Sequence, residues 1–189
     1  MNKPLLHQSL RNQLLIAMPG MVDGRFANTV TYICEHTREG AMGLVINQPI
    51  DTDLDDLLEQ MGLELSPLRR HYGVLCGGPV QQERGFVLHR RGKQWSHTVD
   101  LGDDLALTAS RDVLESMAVA EGPDDALVLL GYAGWEAGQL ERELADNAWL
   151  TVPATPAILF DVPFEQRVRV AAFQLGFDFN LLSAQAGHA

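Results

Sequence analysis

The sequence predicts an α+β fold: a single domain over residues 1–189, with a mixed, largely antiparallel sheet of about nine strands surrounded by about four helices. Three observations lead there. The first half is filled by short β-branched and aromatic runs joined by tight polar turns, the pattern of hairpins. In the second half strand-like and helix-like periods alternate. No Pro/Gly/Ser-rich linker or internal repeat divides the 189 residues, and a hydrophobic content of 46% suffices for one well-buried core.

"LLIAM" (14–18) reads as a first strand, ended by Pro19-Gly20. "TVTYICEH" (29–36) and "AMGLVIN" (41–47) flank "TREG" and form an antiparallel hairpin. The second of these is apolar at both alternating positions: Met42, Leu44 and Ile46 on one face, Ala41, Gly43 and Val45 on the other. A strand covered on both sides belongs inside a sheet, not at its edge. After Asn47-Gln48-Pro49, "DTDLDDLLEQMG" reads as a helix. Thr52 stands as N-cap, an acidic first turn suits the helix dipole, and Gly62 is the stop.

"GVLCGGPV" and "RGFVLHR" read as strands joined through a Gly-Gly-Pro turn, and "WSHTVDL" and "LALTA" extend the antiparallel part. Ser110 caps a helix running to about Glu121, before Gly122-Pro123. "ALVLLGY" is the most buried-looking strand. It runs into "LGYAGWEAGQLERELADNAWL" (130–150), where a helix is expected to begin near Glu136. "WLTVP" and "AILF" read as strands. A last helix spans about Pro163 to Leu175 and stops at Gly176.

Several quoted stretches resemble one family. "LLIAMPGMVDGRFANTVTYICEHTREGAMGLVINQP", "GGPVQQERGFVLH", "LGYAGWEAGQLERELADNAWL" and the terminal "AGHA" together resemble the AlgH/YqgE family of bacterial proteins, in order and almost end to end. The resemblance implies a complex mixed β-sheet with surrounding helices in one bacterial cytosolic domain. It implies a regulator of transcription, the family's common label, but supplies no catalytic residues.

The glycine-rich stretch is the best site candidate. Gly131 and Gly134 bring backbone close to whatever lies above the strand end, and Gln139 and Glu143, four apart, share one helical line beside Trp135. The candidate ligand-binding residues are therefore Tyr132, Gly134, Trp135, Gln139 and Glu143. The glycine spacing fits neither the dinucleotide fingerprint nor the P-loop, and Glu136 would repel an anion. A sharp packing corner with Trp135 as a core plug is the favoured reading, a ligand cradle the second.

The remaining chemistry-bearing residues read as structural. Cys34 and His36, two apart on a strand, are expected to share an apolar face, with Cys34 buried and inert. Neither they nor His71, Cys76, His89 and His97 show metal-ligand spacing, so no metal or other cofactor is expected. Read as a calcium loop, "DTDLDD" has Asp56 where glycine is needed and Gly62 where glutamate is needed. No GxSxG elbow appears, and Ser96-His97 reads as a hairpin segment.

With 14 Lys and Arg against 25 Asp and Glu, the formal net charge is -11, which opposes binding to phosphate backbones. The best basic candidate, Arg69-Arg70 with Arg90-Arg91 and Lys93, reads as ordinary solvated surface. Two cysteines outside any CxxC pair, and no long apolar run, point to the cytoplasm. The expected function is regulation exerted indirectly, through a small ligand or a protein partner rather than on DNA. An unrecognised enzyme with its pocket at Gly-Tyr-Ala-Gly-Trp is the alternative.

Overall fold

The sheet is organised around one long apolar strand that serves three neighbours. A computed structural model describes residues 9–21 and 23–176; the expectations about the extreme N-terminus and the terminal "AGHA" lie outside them. Ten strands are present among the described residues: β1 (Gln13–Ala17), β2 (Val30–Thr37), β3 (Gly40–Val45), β4 (Pro49–Asp53), β5 (Gly73–Cys76), β6 (Val80–Arg90), β7 (Thr98–Gly102), β8 (Leu105–Thr108), β9 (Ala126–Glu136) and β10 (Trp149–Pro153). Their main order is β10-β1-β2-β3-β9-β6-β8-β7. The first half of β9 lies between β6, antiparallel, and β5, parallel; its second half pairs with β3. β4 attaches to β5 off this path.

The change of partner happens at Gly131, whose φ of 73° is left-handed. There the loop Gly77-Gly78-Pro79 crosses the strand. A Cβ on Gly131 would stand 2.5 Å from the Gly78 carbonyl oxygen, and one on Gly78 would overlap the Tyr132 carbonyl. Only glycine fits either position. The two strands joined through Gly-Gly-Pro do not pair with each other: β5 and β6 sit on opposite sides of β9.

Both faces of the central strands are covered. Leu14, Ile16, Tyr32, Leu44, Leu88 and Leu129 face the main core with Ile158 and Ala171. Leu15, Ile33, Ala133 and Trp135 face the opposite way, against Leu140 and Trp149. As the double-sided apolar pattern predicts, β3 is interior, between β2 and β9. The sheet curls until its far edge meets its start. Asn12 donates to the Leu101 carbonyl (2.9 Å) and accepts from the Tyr32 hydroxyl (2.6 Å), and Arg11 donates to the Asp100 carbonyl. Side chains thus occupy carbonyls of β7 that an open edge would leave exposed.

The helices are α1 (Leu54–Gln60), α2 (Arg111–Ala118), α3 (Gln139–Ala145) and α4 (Arg167–Phe173). Asp53, not Thr52, caps α1, accepting from the Asp56 backbone N–H at 3.0 Å. Ser110 stands at the N-cap of α2, but its hydroxyl turns to Ser96 and Asp112 instead of a helix N–H. Glu136 ends β9, and α3 begins three residues later, after Gly138 at φ 72°. "AILF" is not a strand: residues Ala157–Asp161 make a π-helical turn, closed by the Val162 N–H on the Ala157 carbonyl. The expected helix from Pro163 splits into a 3-10 turn (Phe164–Gln166) and the shorter α4. Among the described residues no helix is long and apolar enough to cross a membrane.

One buried charge fastens the π-helical turn to the sheet. Arg167, 2% exposed, donates through Nε to the Val162 carbonyl (3.0 Å) and through Nη2 to Leu159 (2.6 Å). Its Nη1 reaches Ile46 just beyond β3. Its guanidinium also lies over the Phe164 ring at 4.7 Å. Burial pushes its pKa down to about 10, and the nearby Glu165 charge offsets only part of that desolvation. Three carbonyls would lose their donor in Arg167→Ala, so a loss on the order of 3 kcal/mol is expected in urea unfolding, with Arg167→Lys recovering only part. A loss below about 1 kcal/mol would show that the carbonyls find other donors.

Candidate functional site

Beyond the Gly131 bend, β9 carries Trp135 to the side of the sheet covered by α3, opposite the main core. Trp135 and Trp149, from neighbouring parts of the chain in space, both aim their indole N–H at one carboxylate. Glu143 Oε2 accepts from Trp135 at 2.9 Å and from Trp149 at 2.8 Å, while its Oε1 accepts from the Gln139 amide at 2.8 Å. The Gln139 carbonyl accepts in turn from the Glu136 backbone N–H at 3.0 Å, closing the start of α3 where no side-chain cap exists. Phe26 completes the group. Its ring is offset-stacked on Trp135 (6.4 Å, 29°) and edge-on to Trp149 (5.6 Å, 72°).

Of this aromatic group, Phe26 and Trp135 line a cavity of about 810 Å³, within the range of small-molecule sites. Met18, Met21, Phe26, Pro79, Val80 and Trp135 make its apolar lining, and Asp23, Arg25, Gln139, Glu143, Asp146 and Asn147 its polar one. Gly134 contributes backbone to the wall. It is exposed at an ordinary φ, and a Cβ there would meet only the Tyr132 ring at 3.5 Å. The two glycines of the motif therefore differ. Gly131 is demanded by packing, whereas Gly134 leaves space. Arg25 spends its guanidinium on Asp23, with Nη2–Oδ2 at 2.7 Å, and this bond holds the Asp23 carboxyl below the usual carboxylate range.

Of the five candidate residues, Gly134, Trp135, Gln139 and Glu143 meet at this cavity. Tyr132 does not. The alternation of β9 turns its ring to the other face, edge-on to Phe86 at 6.0 Å. Phe26, Trp149, Asp23 and Asp146 were not anticipated. Phe26 and Asp23 lie inside "MPGMVDGRF", whose Gly and Pro content gave it no periodicity to read, and no local pattern announces that Trp149 and Trp135 converge.

Elsewhere, candidate chemistry resolves into packing. Cys34 and His36 do not share a face. A β-bulge between Ile33 and Glu35 inserts Cys34, so Cys34 joins the main core while His36 stands opposite Ala41 on the α3 side. There His36 Nδ1 accepts from the Leu10 N–H (3.0 Å) and Nε2 lies 3.0 Å from Glu141. Burial pushes the Cys34 thiol well above its ordinary pKa, as expected of an inert cysteine. His89 is fully buried between Thr108 and its neighbour's carbonyl, and burial lowers its pKa below the ordinary 6.5. In the acidic run Asp53 caps α1. Asp55 takes Arg69 and His71, and its pKa is lowered first by the Arg69 hydrogen bond. No three His, Cys, Asp or Glu among the described residues are arranged to hold a metal.

The basic cluster is paired throughout. Arg69 meets Asp55 (2.7 Å), Arg70 Asp124 (3.3 Å), Arg90 Asp125 (2.6 Å), Arg91 Asp100 (2.9 Å) and Lys93 Glu121 (3.6 Å). A second concavity, about 590 Å³ beside the π-helical turn, offers little: its Arg70 is bound to Asp124 and its Arg167 to backbone carbonyls.

Comparison with known proteins places this architecture. The sequence profile described as AlgH-like matches residues 14–180. The UPF0301 protein AlgH of Pseudomonas aeruginosa is 55% identical over 182 residues, covering 95% of this chain and 96% of its own. A UPF0301 protein of Alcanivorax borkumensis is 52% identical over 181 residues, covering 95% and 96%. The solution structure of the Pseudomonas aeruginosa AlgH protein superposes with a TM-score of 0.80 at 52% identity, over 100% of this chain and 99% of that one. A crystal structure from Corynebacterium diphtheriae, 19% identical with a TM-score of 0.71 over 91% and 90%, shares the fold.

Because two indoles depend on one carboxylate, Glu143→Ala is expected to destabilise by about 2 kcal/mol, and Glu143→Gln, which keeps an acceptor oxygen, by less. In NMR spectra the indole N–H signals of Trp135 and Trp149 should move, while that of Trp95, bonded to Ser116 at 2.8 Å, should not. Unmoved Trp135 and Trp149 signals would contradict the shared hydrogen bond.

Proposed function

The chain belongs to the AlgH-like family, and from that premise we propose that it is a binding protein of the bacterial cytoplasm, which takes a small ligand in the cavity between β9, α3 and the Met18–Phe26 segment. Any effect on transcription then passes through the occupied protein and a partner, not through direct contact with DNA. The observation that supports this reading is the convergence of Gly134, Trp135, Gln139 and Glu143 with Phe26 around one open space.

The charge distribution supports the same reading. Duplex recognition needs free Lys and Arg to displace counterions, yet each member of the strongest basic cluster is matched by a carboxylate. The lining of the cavity contains no Ser, Thr, Cys, His or Lys among the described residues, so it offers no hydroxyl, thiol, amine or imidazole nucleophile, and its Glu143 carboxylate is already held by three donors.

Phe26→Ala tests the proposal, since it removes an aromatic wall of the cavity from a position outside the sheet. Native mass spectrometry of protein freshly isolated from its own cells should show a small-molecule adduct on the wild type and none on this variant. An adduct on neither protein, an adduct that survives the substitution, or sequence-specific duplex binding in a low-salt gel shift would each overturn it.

A further inference from the structure

We propose that this cavity selects an organic cation, a small molecule in which an amine or guanidine is joined to an aromatic or alkyl group. The inference rests on the binding role just proposed and names the chemistry of the ligand.

The sign of the free charge is the first reason. The ionisable side chains lining the cavity are Asp23, Glu143, Asp146 and Arg25, three carboxylates against one guanidinium. The guanidinium is committed to both oxygens of Asp23, through Nε at 3.0 and 3.2 Å and Nη2 at 2.7 Å. Glu143 is taken up by the two indoles and Gln139. Asp146, which follows α3 at the rim, is exposed and makes no ion pair among the described residues. An incoming anion would meet this carboxylate with no available cation, and an incoming cation would find a partner.

The apolar lining is the second reason. Phe26 and Trp135 present aromatic surface, and Met18 and Met21 add polarisable thioethers. Ring faces attract cations through their quadrupole, and methionine adapts to irregular apolar groups. A cation with an apolar body satisfies both at once: charge towards Asp146, body against Phe26 and Trp135. A bare metal ion gains nothing from the aromatic wall, and a neutral hydrocarbon gains nothing from Asp146.

Three probes of similar shape and different charge test this: phenethylammonium, 3-phenylpropanol and 3-phenylpropionate, each titrated into the full-length protein at low salt. The readout is the indole N–H signal of Trp135, with Trp95 as internal control. The ammonium should bind roughly tenfold more tightly than the carboxylate, a preference that shrinks in high salt. Asp146→Asn, an exposed substitution, should weaken the ammonium about threefold and leave the alcohol unchanged. Equal binding of all three probes, or preference for the carboxylate, overturns the cation selectivity while leaving the cavity as a binding site. Failure of all three to move Trp135, with a stable fold, overturns the binding role together with the selectivity.

Discussion

Where the Gly77-Gly78-Pro79 loop passes β9, two backbones lie so close that neither can carry a side chain. Everything distinctive in the molecule follows from that contact. The crossing lets β5 and β6 reach opposite sides of the same strand, and it bends β9 at Gly131 so that its second half can pair with β3. The bend delivers Trp135 to the second face of the sheet, where α3 and Trp149 meet it. Without that turn β9 would continue straight, and the indole would have no route to Glu143. The cavity is thus a consequence of how the sheet is threaded, not an addition to it.

A second constraint is the covering of both sheet faces. With three apolar clusters sharing alternate residues of the same strands, little backbone is left to solvent in the middle of the molecule. Three of the polar groups taken inside are satisfied locally, Arg167 by three carbonyls, His89 by Thr108 and the Arg90 carbonyl, and Glu143 by three donors, whereas the buried Thr31 hydroxyl has no hydrogen-bond partner among the described residues. The outer charges behave in the opposite way. Acidic groups exceed basic ones by a formal net charge of -11, so the arginines of the basic cluster find carboxylates nearby and the surplus is negative. The cavity inherits this surplus at Asp146.

Much of the fold was legible in the sequence because it depends on local periodicity. The β2–β3 hairpin, the double-sided β3, the acidic α1 and the buried β9 each announce themselves within about eight residues. Failures occurred where a distant contact overrules the local pattern. Glu136 looks like a helix start, but pairing with Gly40 holds it in β9. "GGP" reads as a turn between two strands, but nothing local shows that β9 lies between them. "AILF" has strand composition, yet residues 157–161 follow Pro156 into a π-helical turn fixed by Arg167. One inserted residue at Cys34 reverses the face of His36, which no two-residue count can foresee. For the candidate site, Trp135, Gln139 and Glu143 are legible because they share one strand-to-helix stretch, whereas strand alternation turns Tyr132 to the other face. The sequence could not name Phe26 or Trp149, because their meeting is a property of the threading.

The crossing at Gly131 is tested most directly by comparing Gly131→Ala with Gly134→Ala in urea unfolding. A left-handed φ of 73° and a carbonyl oxygen 2.5 Å from the new Cβ should cost the first variant on the order of 3 kcal/mol or leave it unfolded. The second, with an ordinary φ and open surroundings, should stay within about 1 kcal/mol of the parent. Equal tolerance of the two substitutions would mean that the backbones do not approach as described, and that the bend, the Trp135 position and the cavity need another origin.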